Sequence, residues 1–137
     1  RIVIGGNGPA CKAVSECYQK AYPDVEQVVC SSDEAEMAKY MTNVYLGIKV
    51  SAANEFKQIC DGLGINYDTA IEVAKKDARL GDTHWSVPGH DGQLGFGGSC
   101  FPKDIRAMVG MAFGVNVYPA LALAAIKKNK EVRKNED

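Results

Sequence analysis

The chain has 137 residues, room for one modest core. With 46% hydrophobic and 24% charged residues it is neither disordered nor fibrous. Sixteen basic residues against seventeen acidic ones leave a net charge of −1, which excludes nucleic-acid binding by charge alone, and no apolar run reaches the roughly 18 residues of a membrane span. The five cysteines (11, 17, 30, 60 and 100) form no CxxC pair. They predict free thiols in a reducing cytoplasm, without a disulfide framework or a zinc site.

Arg1-Ile-Val-Ile-Gly-Gly reads as a short buried strand closed by glycines. Pro9 to Tyr22 reads as a helix whose apolar side is Ala10, Ala13, Val14, Cys17 and Tyr18, stopped near Pro23. Val25 to Cys30 is a second strand. One β-α-β step is too little for a stable α/β domain, so residues 1–30 are expected to be the remnant of a larger parallel-sheet domain.

Ser31-Ser-Asp-Glu34 has the form of a capping box and opens a helix over about 33–61, roughly 43 Å at 1.5 Å per residue. A step of 100° per residue places Ala38, Met41, Tyr45, Ile48, Ala52, Phe56 and Ile59 on one face. Glu36, Lys39, Asn43, Gly47 and Asn54 lie opposite, as a polar stripe. Such a helix in a small chain predicts a core shared with a partner copy. Shorter helices are expected over 67–77, capped by Asn66, and over 102–113 and 119–133, opened by Pro102 and Pro119. Lys127 to Asp137 is a charged run, expected to be a solvated helix end. Between Gly81 and Cys100 lies a long aperiodic segment of the kind that usually carries function.

The sharpest local feature is Gly95-Phe-Gly-Gly-Ser-Cys-Phe-Pro-Lys-Asp104. Its glycines permit close approach of a ligand, and Cys100 stands at a helix start with Lys103 close behind, an environment that favours a thiolate. Asp104, one turn on, is placed to hold a water or to orient Lys103. Lys39 and Asn43, at i and i+4, share one side of the long helix and are of the types that polarise an oxygen or move a proton. His84, His90 and Asp91 lack the spacing of a metal site. Arg79 ends a helical segment, where a cation is favourable in any case.

These residues resemble the nucleotide-sugar dehydrogenases that oxidise an alcohol to an acid, the UDP-glucose/GDP-mannose dehydrogenase family. The family pattern A-E-x-x-K-x-x-x-N stands at Ala35 to Asn43, S-x-x-N-E at Ser51 to Glu55, D-x-R-[IL]-G at Asp77 to Gly81, and G-[FY]-G-G-x-C-[FL]-P-K-D at Gly95 to Asp104. The resemblance implies a mainly α fold: a helical central domain like the C-terminal domain of 6-phosphogluconate dehydrogenase over 31–137, preceded by the Rossmann remnant. It implies oxidation of UDP-glucose to UDP-glucuronate by two hydride transfers to NAD, through a thiohemiacetal and a thioester on Cys100. GDP-mannose or a UDP-N-acetyl sugar are the alternative substrates. Lys39, Asn43 and Asp104 are the implied catalytic partners of Cys100; Phe96, Gly97, Lys103 and Arg79 are the implied contacts to the sugar nucleotide. Gly5-Gly-Asn-Gly8 does not have the G-x-G-x-x-G spacing that cradles NAD, so the chain by itself is expected to be inactive. The implied assembly is a homodimer through the long helix. A helical dimerisation module without catalysis is the competing reading.

Overall fold

The computed structural model describes residues 1–133. Its elements are β1 (Ile2–Gly5), α1 (Gly8–Ala21), β2 (Gln27–Cys30), α2 (Ser32–Leu63), α3 (Tyr67–Ala74), a 3₁₀ turn (Ala78–Leu80), α4 (Cys100–Gly114) and α5 (Ala120–Val132). The fold is mainly helical, with a single two-stranded sheet among the described residues. Two compact units divide it, Arg1–Thr42 and the residues from Asn43 onward. The last four residues of the charged tail, 134–137, lie outside the described range.

In the first unit β1 and β2 pair in parallel, Ile2 opposite Gln27 and Gly5 opposite Cys30. Only Ile4 of β1 is buried, while Val3, Val28 and Val29 are exposed, because two strands offer one helix little to cover. The helix packs differently from its expected apolar side. Val14 and Tyr18 are exposed, and Ser15 turns inward to donate to Gln27 Oε1 at 2.9 Å. Short polar side chains fit close against a strand where a tyrosine would hold the helix away.

The capping box of α2 forms as expected: the Glu34 N–H donates to Ser31 Oγ at 3.2 Å, and the Ser31 N–H donates to Glu34 Oε2 at 2.8 Å. The helix passes through Gly62 and ends at Gly64, whose positive φ of 69° sets up paired bonds from Gly64 N–H to Asp61 O and from Ile65 N–H to Cys60 O. Asn116 (φ 59°) closes α4 in the same way, with Asn116 N–H to Phe113 O and Val117 N–H to Ala112 O. Asn66 accepts from Thr69 N–H at 2.9 Å and caps α3 as the sequence implies. That helix stops at Ala74, three residues short of the expected end, and the chain re-forms as the 3₁₀ turn, where Asp77 accepts from the Arg79 N–H.

In the second unit α2 is the wall on which the rest packs, and it does so along the side that carries Gly47 and Asn54 of the expected polar stripe. Val44, Gly47, Ser51 and Asn54 are buried, whereas Tyr45, Phe56 and Ile59 are exposed. Val44, Phe96, Ile105 and Ala122 form one cluster, flanked by Ile48, Val50 and Met108. Ala53, Tyr67, Trp85 and Val87 form a second. Gly47 explains the choice of face: a Cβ there would lie 2.5 Å from Ile105 Cδ1, so the glycine is where α4 comes down onto α2. Ser51 Oγ donates to Ala125 O at 3.2 Å and ties α5 to the same wall.

Candidate functional site

Cys100 is the first residue of α4, which starts two residues before the expected opening at Pro102, with Ser99 as the cap and Pro102 at the third helical position. Its side chain is exposed, with Sγ 3.8 Å from Ser99 Oγ. One turn along the same helix, Asp104 is 0% exposed. Its Oδ2 accepts from Asn43 Nδ2 at 2.5 Å, across from α4 to α2. Its Oδ1 pairs with the Lys103 ammonium, whose side chain is largely solvated. Asn43, Lys103 and Asp104 are thus joined beside the Cys100 turn, and the buried carboxylate is held by an amide on one oxygen and an ammonium on the other.

The glycine run that leads into α4 is held by two asparagines. Asn54 Oδ1 accepts from Gly95 N–H at 3.1 Å, and its Nδ2 donates to Val50 O. Asn129 on α5 embraces Phe96, accepting from its N–H at 2.7 Å and donating to its carbonyl at 2.9 Å. Gly95 has a φ of 72°, and a Cβ there would run into Asn129 Oδ1, so only glycine fits between the clamps. Asn54 belongs to a motif whose task the sequence leaves open. Asn129, 33 residues from Phe96, has no local signal at all.

Phe96 and Gly97 line a cavity of about 440 Å³, together with Val50, His84, His90 and Phe101. Asp91 also borders it, fixed by Arg133 Nη2 at 2.8 Å and by the Gln93 N–H. Arg133, followed by Gln93, holds the Asp91 carboxyl below the usual carboxylate range. Burial, with the charges of Lys49 and His90 adding to it, holds His84 below its ordinary value. The histidines are therefore cavity wall, and among the described residues no three His, Cys, Asp or Glu side chains gather to hold a metal. Arg79 stands apart from this cavity's lining: it is 89% exposed and paired with Asp77. Lys39 is exposed in the first unit, its Nζ 5.0 Å from the centroid of the Tyr40 ring.

On a mainly helical fold built along one long α2, the structure places a cysteine at a glycine-run helix start beside the buried Asp104 and its partner Asn43. The chain belongs to the UDP-glucose/GDP-mannose dehydrogenase family, matching its central domain over residues 33–131. It is 38% identical over 96 residues to UDP-glucose 6-dehydrogenase AglM of Haloferax volcanii, a match covering 70% of this chain and 21% of that protein. It is 31% identical to the UDP-glucose 6-dehydrogenase of Rickettsia conorii, over 96% of this chain and 29% of the relative. A UDP-glucose dehydrogenase structure from the archaeon Pyrobaculum islandicum superposes with a TM-score of 0.83 at 32% identity, covering 94% of this chain and 28% of that one. The chain spans less than a third of the length of these relatives.

The family is NAD-dependent. The turn between β1 and α1 does not fit that dinucleotide. It lacks the glycine spacing, and the space over Gly6 is taken by Cys11, whose Sγ would lie 2.6 Å from a Cβ there.

Proposed function

We propose that this chain is the central part of an NAD-dependent dehydrogenase that oxidises the C6 alcohol of UDP-glucose to the carboxylate of UDP-glucuronate. The observation that carries the reading is the exposed Cys100 at the start of α4, one turn from an Asp104 buried against Asn43. NAD would be held by residues other than those of the β1–α1 turn and, when bound, would supply the hydride acceptor. The residues of this chain do the rest. Once the alcohol is an aldehyde, Cys100 Sγ adds to its carbonyl carbon, forming a C–S bond and an alkoxide at the former carbonyl oxygen. Asn43 and Lys39 are assigned to stabilising that oxygen and handling its proton. Loss of the second hydride leaves a thioester, which water cleaves, releasing the acid and restoring the thiol. Asp104 positions the water and Lys103.

Phe96, Gly97 and Lys103 are assigned to the sugar nucleotide, with the cavity that Phe96 and Gly97 line, and Lys103 does not, as its seat. Arg79, exposed and away from that lining, suits a role toward the site of a second copy in a homodimer. Residues 1–30 are read as the end of the dinucleotide-binding domain and 31–137 as the central domain. In the dehydrogenase carrying this chain, Cys100→Ala should lower acid production by on the order of 10³-fold or more. Stability should stay within about 1 kcal/mol, because an exposed side chain gives up few contacts. Melting temperature and acid formation measured on one sample test this, and near-normal acid production would overturn the nucleophile.

A further inference from the structure

Lys49 is a charge in an expensive place. Its residue is 8% exposed, on the core side of α2, where a methionine would fill the same space without desolvating an ammonium. Burial holds its pKa below the usual lysine value, and Asp82 offsets part of that. The ammonium is fully engaged. It donates to Leu80 O at 2.7 Å and, at the longer distance of 3.5 Å, to Gly81 O, and it lies 4.6 Å from the centroid of the Trp85 ring. Trp85 Nε1 donates to that same Gly81 carbonyl at 2.9 Å, and the Trp85 carbonyl accepts from Tyr67 Oη at 2.7 Å. The short turn 81–85 is therefore pinned at both ends.

Between those pins His84 sits at a φ of 68°, a left-handed conformation that a non-glycine residue adopts only when its surroundings enforce it. Its ring borders the cavity, 5.7 Å from the ring of Phe101, and its Nδ1 is 2.8 Å from Thr83 Oγ1. We propose that Lys49 is a positioning residue of the substrate cavity: its ammonium, held between the Leu80 and Gly81 carbonyls and the face of Trp85, locks the 81–85 turn so that His84 forms the cavity wall. Lys49 does not line the cavity. It acts through His84, and its relevance to catalysis rests on the cavity being the sugar-nucleotide seat.

Trp85 is the single tryptophan of the chain, so its emission reports this contact without interference. In Lys49→Met the emission should shift, and the His84 imidazole, followed by NMR, should titrate at higher pH once one of the two nearby cations, Lys49 and His90, is gone. UDP-glucose affinity, measured by titration calorimetry, should fall on the order of tenfold, as for a displaced supporting group. Lys49→Arg, which keeps the charge, should recover most of the His84 shift. A lower melting temperature with unchanged Trp85 emission, His84 titration and affinity would make Lys49 merely structural and overturn the proposal. If the unaltered chain shows no UDP-glucose binding, the seat assignment fails, and the Trp85 and His84 signals alone decide the role of Lys49. Should Lys49→Met not fold, the unaltered chain still tests the contact: the Lys49 Cε protons must show the upfield ring-current shift of a side chain over an indole, and ordinary shifts there would overturn the stack.

Discussion

Tyr67 shows how single side chains hold the cavity segment to the helices. The phenol is buried, and its hydroxyl is spent on the Trp85 carbonyl. Burial, reinforced by the negative charges of Asp68 and Cys60, pushes its pKa up to about 12. The unfolded value is about 10, so the folded state keeps a proton that the unfolded state releases. The stabilisation is whole below pH of about 10 and is lost as pH rises toward and through about 12. In an alkaline ultraviolet titration one of the six tyrosines should therefore lag behind the rest. Tyr67→Phe should remove the lagging phase and cost about 1–2 kcal/mol in urea unfolding, because the Trp85 carbonyl loses its donor. A titration in which all tyrosines ionise together near pH of about 10 would contradict the buried phenol.

Among the elements, α2 and α4 meet at a glycine, and two effects oppose each other there. Gly47→Ala in a helix interior gains up to about 1 kcal/mol in propensity. The added methyl would lie 2.5 Å from Ile105 Cδ1. Ile105 is completely buried and has Phe96 and Val44 as neighbours in the core, so it has nowhere to swing. Overpacking of this kind costs about 1–3 kcal/mol, so steric cost should win and Gly47→Ala should lower stability in urea. A gain in stability would mean that α4 sits less tightly than the distance implies. This contact also marks where the sequence stops being readable. The element order, the capping box and the Asn66 cap are local features and are legible. The buried face of α2 is not, because hydropathy takes Gly47 and Asn54 for a solvent stripe and gives Ser51 beside them no task. Their use is to let another backbone approach and to bond it, and the partners, Ile105, Ala125 and Gly95, lie 41 or more residues away. The candidate site divides in the same way. Cys100 and Asp104 share one motif, and their kinship can be read from spacing, whereas the Asn129 clamp and the Lys49 lock arise only when α5 and the 3₁₀ turn come home.

For the whole molecule, the outward face of α2 has a further consequence. Tyr45 is 66% exposed and Leu63 69%, and Met41, Phe56 and Ile59 on the same helix are also exposed. Phe56 and Ile59 border an apolar depression of about 240 Å³ with Tyr67 and Ile71. Large side chains left in water on one side of so long a helix represent about 1.5–3 kcal/mol each that burial would recover. In the homodimer proposed above, this face is the one a second copy of the chain would cover, in a symmetric contact of the kind most homodimers use. Sedimentation velocity should find a dimer at micromolar concentration. Introducing charge at two neighbouring points, Phe56→Glu with Ile59→Glu, should shift the species to monomer. Both positions are exposed within the chain, so far-ultraviolet circular dichroism should remain helical as the dimer is lost. A monomer in the unaltered chain, or a dimer indifferent to both charges, would place the interface elsewhere.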